Sequence, residues 1–155
     1  MDILIENMLK AGFALIPVPY GQKGPTKKEW NSPENCIRCI GQAAILQNSN
    51  IGLAHAYCSP SPTCAIDIDN FKKSCDWLKK KGVSLKELVL DDEAVVIWSG
   101  KPNSLKLLYR LPIGIDVISS VRVFDEDRDM IFEFRCATAS GKTVQDILPP
   151  STHPT

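Results

Sequence analysis

Apolar positions along the chain switch between two periods, and the switches mark out the elements. Over residues 2–12, Ile3, Leu4, Met8 and Leu9 recur at helical spacing until Gly12 interrupts them. Phe13 to Val18 is a short apolar strand, and Pro19–Pro33, Lys-rich at its centre and holding Trp30, is a loop. Cys36–Gln47 has helical character. Asn50–Ala56, NIGLAHA, is a strand, and beyond the turn Ser59–Pro62 the run Cys64–Ile68 is expected to be its hairpin partner. Phe71–Lys81 reads as a helix closed by Gly82, with Phe71, Cys75 and Leu78 on one face, and Ser84–Val89 as a short helix or turn. Period two then takes over. Ala94–Trp98 and Leu105–Leu111 form one hairpin, Val117–Phe124 and Met130–Cys136 a second around Asp125–Asp129, and Asp146–Leu148 a last short strand before Pro149-Pro150. Helices gathered in the first half and strands in the second predict an α/β or α+β domain. With no repeat and no dividing linker, one domain is expected over 1–155.

Composition narrows this modestly. The chain's 155 residues, 44% hydrophobic and 23% charged, can bury a core without staples and exclude disorder. The formal net charge of zero argues against a protein held on DNA by bulk charge. That zero conceals a net of +3 over residues 1–81 and −3 over 82–155. Six cysteines without a signal-peptide pattern point to reduced thiols and a cytoplasmic location, and no apolar run approaches the ~18–20 residues of a membrane helix. Cys36, Cys39, Cys58 and Cys64, with His55 between them, raise a zinc site, but the Cys58–Cys64 spacing is wide and Cys64 leads straight into an apolar strand. Buried or incidental thiols are the favoured reading.

The sharpest chemical signal is Ala65-Ile-Asp67-Ile-Asp69. Residues i and i+2 of a strand share a face, so both carboxylates project together, about 6.6 Å apart along the chain. Such a pair repels unless a cation intervenes, which makes it a candidate Mg²⁺ or Mn²⁺ site; solvated residues at a strand end are the plain alternative. In Met130–Cys136, Glu133 and Arg135 share the face opposite Met130, Phe132 and Phe134. They are either a surface pair or, if this face meets that of Asp67 and Asp69, a third carboxylate with a cation beside it. Between the two lies Ser99-Gly100-Lys101, a turn able to face an anion, followed by a strand with Lys106 and Arg110 on one face. Cations beside paired carboxylates suit a nucleoside triphosphate, although an ordinary surface hairpin would look the same.

The order of these elements resembles the Prim-Pol domain of archaeo-eukaryotic-type primases, the primase–polymerase module of phages and plasmids, over roughly residues 12–155. The likeness is carried by the Lys-Gly-Pro and Trp loop, NIGLAHA, the strand ending DID, the Ser-Gly turn before Leu-Tyr-Arg, Glu-x-Arg, and Leu-Pro-Pro-Ser-x-His-Pro. It implies a mixed or antiparallel sheet with an RRM-like catalytic half and flanking helices. It also implies DNA-templated nucleotidyl transfer with two Mg²⁺ or Mn²⁺ on Asp67, Asp69 and Glu133. Ser99, Lys101, Lys106, Arg135, Ser151 and His153 are then expected at the nucleotide, Lys106 standing where the family usually has His. Lys72, Lys73, Lys79 and Lys80, with Lys81, are expected to touch template phosphates or to form a solvated helix face. Implied partners are single-stranded template and primer, NTP or dNTP, and a fused or separate helicase or helical accessory domain, with no membrane. The family pattern usually continues past His153, so a module shortened at its C-terminus is expected. Two rivals share these residues: a nucleotide- or nucleic-acid-binding module without turnover, and a metal-dependent nuclease.

Overall fold

The computed structural model describes residues 2–98 and 100–151. Ser99 and His153, both expected at the nucleotide, lie outside the described residues. Helix α1 (Ile3–Lys10) starts where the Asp2 carboxylate accepts the Leu4 N–H, and it buries Ile5 and Leu9. Strands β1 (Leu15–Val18), β2 (Asn50–Ala54) and β8 (Gln145–Ile147) form a three-stranded antiparallel sheet with β2 in the middle. Strands β3 (Thr63–Ile68), β4 (Val95–Trp98), β5 (Leu105–Arg110), β6 (Val121–Phe124) and β7 (Met130–Arg135) build a second antiparallel sheet in the order β4-β5-β3-β7-β6. Both expected hairpins of the second half are present as β4–β5 and β6–β7. The architecture is α+β.

Alternation decides what each face of the larger sheet does. Ile68, Leu105, Leu107 and Phe132 point to one side, where α2 (Phe71–Lys80) and α3 (Leu85–Leu90) cover them with Phe71, Cys75, Trp77, Leu78 and Leu88. Asn70 caps α2 by accepting the Lys73 N–H, so the helix begins immediately after the DID segment. On the other side Ala65 and Leu108 join the core of the three-stranded sheet, packed with Leu15, Ile16 and Leu53. Beyond that patch the same face turns polar, and the β8 edge of the smaller sheet stands beside it.

Two expectations are corrected. Strand β3 is not the hairpin partner of NIGLAHA: β2 pairs with β1 and β8, while β3 pairs with β5 and β7. A 3₁₀ turn, His55–Tyr57, carries the chain from one sheet to the other, and β3 becomes a central strand with two neighbours. The Cys36–Gln47 stretch holds no α-helix; it contains the 3₁₀ segment Ile40–Leu46, whose Ala43 and Leu46 are buried. The Cys-rich set does not converge. Cys36 donates to the Ser32 carbonyl, exposed Cys39 approaches Gln42, and Cys64 packs with Cys136 beneath Tyr109. Burial pushes the Cys64 thiol up to about 12.

Candidate active site

Register brings the sequence-selected residues together. Asp67 lies directly opposite Lys106 on β5 and Glu133 on β7, and Glu133 lies opposite Arg122 on β6. Directly opposed residues share a face, so Asp67, Lys106, Glu133 and Arg122 form one row across four strands. Asp69, just past the end of β3, continues that row's side of the strand by its two-residue spacing.

The charges alternate along a chain of contacts. Arg122 Nε donates to Glu133 Oε1 at 3.1 Å, and Arg135 Nη1 to Glu133 Oε2 at 2.9 Å. Arg135 Nε then donates to Asp146 Oδ2 at 3.1 Å, and its Nη2 to the Gln145 carbonyl at 2.8 Å. Lys106 Nζ contacts Asp146 Oδ1 and, at 3.3 Å, Asp67 Oδ2. His55, buried at the start of the 3₁₀ turn, meets Asp146 Oδ2 through Nε2 at 2.8 Å and Thr63 Oγ1 through Nδ1 at 2.9 Å. Burial opposes ionisation of Asp146, but the His55 hydrogen bond and the Lys106 and Arg135 charges outweigh it and hold the carboxyl well below its usual range. Stability from these pairs is therefore present above the ordinary aspartate value and is lost as pH falls beneath it.

Asp69 behaves oppositely. Burial and the neighbouring Asp67 charge raise its pKa, Glu133 adds to this, and Lys101 and Lys106 only partly offset it. A carboxylate raised in the fold destabilises the folded state as pH climbs from the ordinary 3.8 through the raised value, and the penalty is complete above it. Asp69→Asn is therefore expected to melt at a higher temperature than the parent at pH 7 and to match it near pH 3. Thermal unfolding across that range checks this.

This repulsion is also what a divalent cation would relieve, and the oxygen donors of Asp67 and Asp69 suit Mg²⁺ or Mn²⁺. Asp67 is accessible, its side chain 37% exposed. Glu133 is tied to two guanidinium groups, and among the described residues no three His, Cys, Asp or Glu side chains converge closely enough to hold an ion. The aspartate pair offers the accessible donors, and each oxygen of Glu133 already accepts one guanidinium N–H.

A cleft of about 640 Å³ opens beside Glu133. Arg122, Arg135 and Gln145 wall it on the sheet side, and Pro25 and Trp30 of the long loop on the other. Gln145 Nε2 donates to the Lys23 carbonyl and fastens that loop. The remaining expected residues lie elsewhere. Ser151 Oγ accepts the Ile51 N–H at 2.9 Å, pinning the chain to β2. Lys72, Lys73, Lys79 and Lys80 are exposed on α2, in the layer behind the acidic face, where Lys73 pairs with Asp125 and Lys81 lies over Trp77. Three residues of the charge chain were not singled out by sequence: Arg122, Asp146 and, as a partner of Asp146, His55.

A family model, bifunctional DNA primase/polymerase, N-terminal, matches residues 6–155. No curated protein and no solved structure matches the chain significantly.

Proposed function

Because the chain belongs to the Prim-Pol family of bifunctional DNA primase/polymerase N-terminal domains, we propose that it adds nucleotides to a primer, or starts one, on a single-stranded DNA template. The observation that carries this reading is the row of Asp67, Lys106 and Glu133 on adjacent strands, with Asp69 beside it. Acidic and basic side chains stand within one residue's reach of each other, as metal-bound triphosphate chemistry requires.

Divalent cations held at Asp67 and Asp69 would supply Lewis-acid activation of the primer hydroxyl and neutralise part of the triphosphate charge. The protein's own groups do the rest. Lys106 has three N–H donors, and its two carboxylate partners leave one to offer a phosphate oxygen. Arg135 spends three of its five donors on Glu133, Asp146 and the Gln145 carbonyl, which fixes its plane and leaves two to face the cleft. Lys101, exposed in the turn before β5, adds positive charge near Asp69. Pro25 and Trp30 give the cleft an apolar wall against which a base or sugar can rest.

The test is incubation with primed and unprimed single-stranded templates, labelled nucleotides and Mn²⁺. Extension of the primer is the expected result. Shortening of the template would replace this reading with a nuclease. Nucleotide binding without extension would point to the inactive binding module, a reading that the arginine-bound state of Glu133 favours.

A further inference from the structure

Beneath the charged row, Asp146 and His55 form a buried pair that the five-stranded sheet does not contribute, with Thr63 of β3 as the imidazole's other partner. Asp146 comes from β8 of the smaller sheet, and His55 from the turn after β2. Asp146 is 4% exposed, His55 0% and Thr63 4%. One carboxylate there receives both cations of the proposed triphosphate site, Lys106 on Oδ1 and Arg135 on Oδ2. An ionised carboxylate only accepts, so His55 presents Nε2–H to it, and Nδ1 meets Thr63 Oγ1. The imidazole thereby fixes the rotation of the carboxylate, and the carboxylate fixes both cations.

We propose that Asp146, oriented by His55, is the positioning residue that holds Lys106 and Arg135 in place for the triphosphate. This rests on the reading of Lys106 as a triphosphate contact. The need for it follows from the side chain in question. A lysine is a flexible stem ending in a point charge. With Asp67 as its sole partner, Lys106 would sit on the candidate metal ligand and neutralise it. Asp146 supplies a second, buried anchor, so the ammonium is shared and Asp67 keeps an accessible carboxylate. Arg135 is likewise divided between Glu133 and Asp146.

The experiment is equilibrium binding of ATP in the presence of Mn²⁺, without template or primer, to the parent, Asp146→Asn, Lys106→Met and the double variant. Asp146→Asn keeps the size of the side chain and removes its charge. It is expected to weaken ATP binding about tenfold in the parent and about threefold in the Lys106→Met background, where only its hold on Arg135 remains. Equal losses in both backgrounds, or none in either, would overturn the proposal. If Asp146→Asn does not fold, the same cycle is run with Asp146→Glu, which keeps the charge and displaces it. A loss of about threefold in the background that retains Lys106, and a smaller one without it, is then expected, and equal losses again overturn it. Because binding is read apart from extension, a protein that never extends a primer can still show this coupling. Coupling that is absent in a protein that does extend primers sinks this inference alone.

Discussion

Asp67→Ala is expected to lower nucleotide incorporation at least a thousandfold while leaving the fold intact. Removing a metal-held carboxylate forfeits several kcal/mol of charge stabilisation in the transition state, and about 4 kcal/mol corresponds to three powers of ten in rate. The fold should survive because the side chain is partly in solvent and its ionic partner among the described residues, Lys106, remains bonded to Asp146. Primer extension with Mn²⁺, read beside a thermal melt of the same preparation, checks both halves. A variant that melts like the parent and still extends primers would remove Asp67 from the chemistry.

Glu133→Ala should differ in kind, losing stability as well as activity. Glu133 is 8% exposed and joins Arg122 to Arg135. Taking one partner from a buried pair costs about 3–5 kcal/mol when the other is left stranded. Here Arg122 is 64% exposed and can rehydrate, and Arg135 keeps Asp146, so a loss of about 2 kcal/mol is expected. Incorporation should fall about a hundredfold, which corresponds to about 2.7 kcal/mol of charge stabilisation in the transition state. Glu133→Gln separates the two effects. It keeps the shape and one acceptor, so stability should largely return while incorporation stays low. Denaturant unfolding and primer extension on both variants decide, and full activity in Glu133→Gln would assign the residue to structure alone.

Much of the row across the larger sheet was legible because alternation is a strong signal in half-covered strands. Ile66 and Ile68 against Asp67, and Phe132 and Phe134 against Glu133, put each acid on the polar side of its own strand, and the β3–β7 pairing makes those sides one face. The hairpins β4–β5 and β6–β7 followed from turn residues between apolar runs. What failed has a physical reason in each case. NIGLAHA and Cys64–Ile68 are near in sequence, and proximity suggested a hairpin; a central strand satisfies its backbone on both edges, and β3 does so with β5 and β7. Asp146 was invisible because β8 is three residues long, too short to show a period, and β2 is buried at every position, so it has none. A faint clue existed. A carboxylate between Val144 and Leu148, and an imidazole closing an apolar strand, are polar groups in places where burial demands partners.

The addition of β8 to the edge of β2 also sets an order of assembly. The acidic and basic row across the larger sheet is complete once Arg135 has been made, but its anchor lies 11 residues further on. Asp146 reaches back 40 residues to Lys106 and 91 to His55. Closing loops of that size is slow compared with forming hairpins, because chain entropy is lost before the contacts form. A chain growing from its N-terminus therefore holds a buried-to-be imidazole and two loosely placed cations until β8 docks. The charged row gains its buried anchor only when β8 joins β2.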